Sequence, residues 1–223
     1  MYKDKKIILF AFATNNLIES INRLKKQAID SKYYDEIKIL NPKDFDNQMK
    51  TKYKTLKNNG KMRGCGYWFW KPLFLLKILN QSNRGDIIHY IDIGCHIQNK
   101  NSRFKEYLKI LIKDNIWILP FQYYIDNKFS KDIFFSNRYE YQYTKADLFD
   151  HFRFLDNKEI THTPQFWAGS FFIKNCEESQ NFLKEWIDIF DKKFGLINDS
   201  NSIKKNFEGF IENRHDQSVF SLL

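Results

Sequence analysis

The chain is poor in the residues that mark fibrous, linker-like and disulfide-stapled proteins. Eight glycines and four prolines in 223 residues exclude a collagen-like or linker-like composition. The three cysteines, Cys65, Cys95 and Cys176, are widely spaced and odd in number, so neither a disulfide framework nor a zinc knuckle is supported. Such sparse cysteine use points to a reducing compartment. The apolar run at 7–13 is too short to span a bilayer, and no small-residue cleavage site follows it. The expectation is a cytoplasmic chain, with peripheral association at an anionic inner membrane face. No repeat of 20–50 residues is present, which sets solenoids and propellers aside.

What is abundant is apolar and aromatic material, at 43% and 17% of residues, enough for a large core and incompatible with disorder as the main state. Lys and Arg outnumber Asp and Glu 36 to 27, a net +9 that favours phosphorylated ligands, anionic membrane surfaces or nucleic acid. Strand and helix patterns alternate, which predicts a layered α/β domain. The run 7–13 reads as a strand covered on both faces, Leu17, Ile21, Leu24 and Ala28 as a helix, and 36–40 as a second strand. Residues 43–59 read as a solvated Lys-rich helix or loop, with a turn at Asn59-Gly60. A helix over 73–79 follows Pro72 at its first position, then a buried strand over 87–93. Phe104, Tyr107, Leu108, Leu111 and Ile112 predict a helix, and 116–119 a strand closed by Pro120. Residues 121–164 are weakly periodic and suit a region that receives a second substrate. A strand over 166–173 and a helix stripe from Phe182 to Phe190 complete the pattern.

Three places carry candidate chemistry. Asp92 ends the third strand, and in open α/β sheets ligands collect beyond the carboxyl ends of strands. A carboxylate there can hold a divalent cation or accept hydrogen bonds from sugar hydroxyls. In the block 64–72, Gly64 and Gly66 permit close backbone approach and the following helix start offers free N–H groups. Arg63 and Lys71 add positive charge, and Tyr67, Trp68 and Trp70 can stack on a base or sugar ring or pack in the core. Glycine spacing excludes a Walker loop or dinucleotide fingerprint. Third, His215 and Asp216 can ligate a metal or act as acid and base, against the alternative that Asp216 caps a terminal helix. His89, inside a strand, reads as a satisfied core group.

In order along the chain, the block 64–72, the strand end 90–94, and Gln165 to Ser170 with His215-Asp216-Gln217 downstream resemble the GT-A class of nucleotide-sugar glycosyltransferases. The likeness is greatest to small bacterial enzymes that build surface polysaccharides. The resemblance implies a single Rossmann-like α/β domain with a mostly parallel central sheet flanked by helices. Residues 1–100 would form the nucleotide-sugar half and 101–223 the acceptor half. It implies that Thr14 faces the nucleotide and that Arg63, Gly66, Tyr67, Trp68 and Lys71 line the donor. Gln165, Trp167 and Gly169 would border donor sugar and acceptor, and Asp216 would be the catalytic base of an inverting reaction or would position the substrate in a retaining one. Asp92 takes the first position of the family's two-acid motif, but Gly94 stands where the second acid belongs. Asp92 would then contact the donor sugar, with a manganese or magnesium ion either shared with His215 or held mainly by the diphosphate. The implied partners are a nucleotide-sugar donor and a glycan or lipid-linked acceptor, without nucleic acid. Two alternatives stay open: a basic α/β nucleic-acid-binding protein, and an inactive subunit that binds nucleotide sugars or glycans.

Overall fold

The computed structural model describes residues 4–60, 63–99, 102–113, 116–123 and 138–223. By its contacts the chain divides into two compact units. The first comprises Met1–Gly60, Trp70–Leu119 and Gly169–Lys184, the second Lys61–Phe69, Pro120–Ala168 and Glu185–Leu223.

In unit 1 the strand β1 (Ile7–Phe12) is buried at every position. Its odd residues Leu9 and Ala11, with Ala13 beyond them, pack with Leu24 and Ala28 of helix α1 (Ile18–Ser31). Its even residues turn the other way: Phe12 stacks on Trp70 at 3.9 Å, and Phe10 meets Phe74 edge-on at 6.0 Å. Two covered faces explain why the sequence here is continuously apolar rather than alternating. Strand β2 (Glu36–Leu40) pairs parallel to β1, and helix α2 (Asn47–Asn58) follows with Asp46 capping Met49 N–H at 2.9 Å.

A tight turn, α3 (Gly64–Tyr67), belongs to unit 2 and precedes α4 (Trp70–Asn80). The latter starts before the predicted 73–79 because Pro72 sits inside the first turn, where its missing N–H has no intrahelical partner to lose. Strand β3 (Ile87–Ile91) pairs parallel to β1, and α5 (Ser102–Lys113) follows. Strand β4 (Ile118–Gln122) runs through Pro120 instead of stopping before it. It is the last strand of the sheet, and an edge strand tolerates a residue with no N–H to donate.

Three short helices, α6 (Glu140–Tyr143), α7 (Ala146–Phe152) and α8 (Lys158–Thr161), occupy the weakly periodic region. Residues 124–137 of that region lie outside the described residues. Strand β5 (Phe166–Lys174), helix α9 (Glu177–Lys192) and helix α10 (Asp216–Leu222) complete the chain. The strand order is β2-β1-β3-β5-β4.

The expectation of a mostly parallel sheet is corrected, because the sheet is mixed. β2, β1 and β3 are parallel, but β5 runs antiparallel to β3, with Ile91 opposite Ser170 and Ile87 opposite Lys174. The physical reason lies in where β5 begins. Asp92 N–H donates to Gly169 O at 2.8 Å, so the chain enters β5 beside the end at which it left β3. The chain comes to that end from β4, where Tyr123 N–H donates to Gln165 O at 2.9 Å, without first crossing back to the start of the sheet as a parallel partner requires.

Candidate functional site

Unit 1 has a topological switch point. From β1 the chain moves to β2 on one side and later to β3 on the other, and such reversals leave a crevice outside the carboxyl ends of the two diverging strands. Thr14, two residues past β1, and Asp92, one past β3, both lie at that edge. The Asp92 side chain is 44% exposed, while the Lys71 side chain 4.0 Å from its Oδ1 is 3% exposed. Tyr90 donates its hydroxyl to the same Oδ1 at 2.6 Å, and the Lys71 ammonium stands 4.8 Å from the Tyr90 ring centre. A buried ammonium thus has a carboxylate and an aromatic face beside it, and these offset the cost of taking its charge out of water. One oxygen of Asp92 is fixed from behind while the carboxyl still reaches solvent.

The loop after β3 is clamped from α1. Arg23 donates to Ile93 O at 2.8 Å and to Cys95 O at 3.2 Å, and Ile97 N–H donates to Gln27 Oε1 at 3.1 Å. Burial is the main cause that lifts the Cys95 thiol to about 11, so it is no nucleophile at neutral pH. Gly169, buried in β5, contributes its carbonyl to the Asp92 amide. His89 is a core group as expected: Tyr34 OH lies 2.8 Å from Nδ1, Ser170 Oγ 3.2 Å from Nε2, and Phe172 stacks on the ring at 4.0 Å. Burial pushes its pKa down to about 3.

Unit 2 gathers a different set. Gly64, Cys65, Gly66, Tyr67 and Trp68 all have positive φ, from 56° to 93°, which makes a single left-handed turn. Three of these carry side chains, at a cost of roughly 1–2 kcal/mol each. The turn is closed by Tyr67 N–H to Arg63 O at 2.6 Å and Trp68 N–H to Gly64 O at 3.1 Å. The Trp68 indole covers Gly64 so closely that a Cβ there would lie 2.3 Å from the ring. Gly64 therefore serves the turn and its tryptophan.

The turn aims Arg63, Tyr67 and Trp68 at Asp199 and His215. Tyr67 OH donates to Asp199 Oδ2 at 2.5 Å, and Arg63 reaches Asp199 at 3.5 Å and Glu212 at 3.4 Å. Burial first, and then the Asp199 carboxylate, raise the Tyr67 pKa. The His215 ring packs edge-on against Tyr67 and stacks on Trp68 at 5.7 Å. Its Nδ1 lies 2.6 Å from Ile197 O, and its Nε2 is 3.4 Å from Asp199 without making a hydrogen bond. Desolvation lowers its pKa, so the neutral ring is favoured. Asp216, the first residue of α10, is 5% exposed.

Gln165 is fully buried in unit 2. Its amide donates to Glu140 at 2.9 Å and Thr144 at 2.9 Å and accepts from Gln217 at 2.8 Å, while Ser221 also donates to Glu140. Burial raises Glu140 to about 7. Trp167 is half-buried, 6.4 Å from Tyr123. The structure therefore brings Lys71, Asp92 and Gly169 together in unit 1, and Arg63, Tyr67, Trp68 and His215 in unit 2. It keeps Gln165 in a separate buried network.

Among the described residues, no three His, Cys, Asp or Glu side chains come together as a metal-ligand set. The donor set at Asp92 is one carboxylate with an ammonium beside it, and Gly94 adds only open space. That set does not fit a cation held by protein ligands alone. No helix among the described residues is long and apolar enough to cross a membrane.

Sequence reasoning missed Asp199, Tyr90, Arg23 and Gln27. Tyr90 carried a weak signal, two residues before Asp92 in a strand and hence on the same face. Asp199, in a stretch of Asn, Asp and Ser, carried none.

The fold and the switch point of unit 1 define an α/β protein with a mixed five-stranded sheet and an acidic strand-end edge. No family model matches the chain. No curated protein matches it either. Among solved structures, the apo-form glycosyltransferase GlyE of Streptococcus pneumoniae TIGR4 is similar at 14% identity and a TM-score of 0.39. The match covers 97% of this chain and 42% of that one, so the chain spans less than half of GlyE's length. A likeness at that level carries no functional argument.

Proposed function

We propose that the chain is a glycosyltransferase that moves a sugar from a nucleotide-diphosphate donor to a glycan or lipid-linked acceptor. The observation that carries this reading is the half-exposed Asp92 at the β1/β3 switch point, held by Tyr90 and backed by buried Lys71. An aspartate with one oxygen fixed and the carboxyl open to solvent is suited to accept hydrogen bonds from ribose or sugar hydroxyls. Thr14 at the end of β1 shares that edge.

In sugar transfer, negative charge grows on the departing diphosphate and positive character on the sugar carbon. Asp92 opposes the positive character, and the Tyr90 hydroxyl, with the Lys71 charge beside it, keeps the carboxyl oriented as the bond breaks. A manganese or magnesium ion enters this reading only on the donor's phosphates, with Asp92 as a single carboxylate ligand. Taken by itself, unit 2 offers Asp199 and Asp216 for an acceptor hydroxyl, with Glu212 paired to Arg63 and Arg214. Asp216 is nearly buried, whereas the Asp199 side chain is 52% exposed. Asp199 is the better-placed proton acceptor, and Asp216 the positioning residue.

The test is release of nucleoside diphosphate from a panel of sugar nucleotides, with and without manganese. One donor should be turned over, and Asp92→Asn should slow its turnover on the order of 10²–10³-fold. A chain that neither binds nor hydrolyses any of them is not a sugar transferase. One observation favours a second reading, an inactive subunit that binds nucleotide sugars: Gly94 leaves the motif one acid short. Tight binding without hydrolysis or transfer would select it.

A further inference from the structure

At the other end of β3 from Asp92, unit 1 has a cavity of about 490 Å³ lined by Lys5, Arg84, Lys174, Trp117, Cys176 and Glu178 among others. Five strand residues separate the two places, roughly 17 Å at ~3.3 Å per residue. The cavity is therefore distinct from the switch-point crevice.

Its floor is rigid. Asn175 is 5% exposed, and its amide donates to Leu79 O at 2.8 Å and Ser82 O at 3.1 Å. Its backbone carbonyl accepts from Gly85 N–H at 2.8 Å, and its N–H donates to Asp86 O at 2.8 Å. The Asp86 carboxylate in turn accepts from Asn83 N–H at 2.8 Å and Lys6 N–H at 2.9 Å. Gly85, at φ +90°, lies under the Lys5 side chain, and a Cβ there would meet Lys5 Cε at 2.9 Å.

The two lysines on this floor are held by backbone carbonyls rather than by acids. Lys5 donates to Arg84 O at 3.1 Å, and Lys174 to Leu111 O at 3.0 Å, in the last turn of α5 where the helix dipole favours a positive charge. Among the described residues, no carboxylate forms an ion pair with Lys5, Arg84 or Lys174. Three positive charges line the cavity against one negative charge, Glu178. The Glu178 carboxyl is held below its usual range, first by a hydrogen bond with Cys176 and also by Arg84 and Lys174, so their field reaches into the cavity. Trp117 and Ile112 supply an apolar wall.

We propose that this cavity binds a phosphate-bearing ligand, with the phosphate on Lys5, Arg84 and Lys174 and the ligand's apolar body against Trp117 and Ile112. Two ammonium groups held by backbone carbonyls, with the planar Arg84 fork on the same lining, form a phosphate-recognition set, and the volume falls in the range of ordinary ligand pockets. Two sources share this chemistry, a soluble phosphomonoester and a phospholipid headgroup. The site stands whether or not the chain transfers sugars.

The test uses the full chain and two probes. Glycerol 3-phosphate is titrated by calorimetry, and vesicles of phosphatidylglycerol are compared with vesicles of phosphatidylcholine by co-sedimentation. Saturable glycerol 3-phosphate binding assigns a soluble ligand, and binding to phosphatidylglycerol vesicles alone assigns a headgroup. In either case the double variant Arg84→Gln/Lys174→Gln should weaken binding at least about ten-fold, since two charge-assisted contacts are lost. Asp92→Asn should leave it unchanged, which separates this site from the nucleotide site. Thermal midpoints of the variants confirm folding. Wild-type chain that binds neither probe, or binding that the double variant leaves intact, overturns the proposal.

Discussion

The two units handle buried charge in opposite ways. In unit 1 a regular β-α-β framework places one buried cation, Lys71, behind one half-exposed acid, Asp92, at a strand end. Its buried histidine, His89, is kept neutral in an aromatic stack. Unit 2 sets its polar groups on a tight turn and on short helices. A left-handed turn carries Arg63, Tyr67 and Trp68, and a buried carboxyl, Glu140, is held among Thr144, Gln165 and Ser221. A recurring framework aims a functional group cheaply, because strand ends converge on one edge by topology. An irregular one needs strained backbone and dense hydrogen bonding for the same precision.

The largest expected effect is on chemistry in unit 1. Asp92→Asn should lower donor hydrolysis on the order of 10²–10³-fold while leaving the thermal midpoint near wild type, as for other preorganised charges at reacting centres. A similar loss of activity from Asp199→Asn with normal nucleotide binding would assign the acceptor step to unit 2. An unchanged rate in that variant would return the role to Asp216.

Next in size is pH dependence, where the units should pull in opposite directions. Glu140 titrates at about 7 when folded against an ordinary 4.5. Between those values the folded chain keeps a proton that the unfolded chain releases, so stability falls as pH rises through this window and stays lower above it. The full loss is about 3 kcal/mol at most. Glu140→Gln should remove most of that slope in urea unfolding from pH 4.5 to 8. His89 has the reverse sign, at about 3 folded against 6.5 unfolded. Its contribution is present above pH 6.5 and lost as pH falls toward 3, so His89→Gln should flatten the acid limb. If both variants kept the wild-type pH profile, neither buried group would carry the assigned role.

Smaller effects test the backbone. Gly64→Ala should destabilise the chain by about 1–3 kcal/mol, because the new methyl meets the Trp68 ring in a left-handed turn. Gly94→Ala should change stability by less than about 0.5 kcal/mol, since a Cβ there meets nothing within 4 Å. Denaturant midpoints check both. Equal costs at the two glycines would contradict the distinction between a required turn and an open loop.

Unit 1 was largely legible in the sequence for a physical reason. β1, β2, β3, α1 and α5 announce themselves by apolar periodicity, and Asp92 by ending a buried run. The antiparallel entry of β5 was not legible, because residues 166–173 look the same in either direction and only the pairing of Ile91 with Ser170 sets the sense. The glycines of the 64–72 block pointed to the right segment with the wrong geometry. They suggested a phosphate-binding approach, whereas Gly64 makes room for Trp68 and continues a left-handed turn through Cys65, Tyr67 and Trp68. Gln165 illustrates the limit most plainly. A polar residue at a strand start reads as a site group, yet here it joins Glu140 and Gln217 out of solvent.

Nucleotide binding at Asp92 is tested most directly by titrating uridine, guanosine, adenosine and cytidine diphosphates into the wild-type chain and Asp92→Asn by calorimetry. One of them should bind the wild-type chain saturably and lose at least about ten-fold in affinity in the variant. Equal affinity in both chains, or no binding of any of the four, would contradict the assignment of Asp92 to a nucleotide-sugar site.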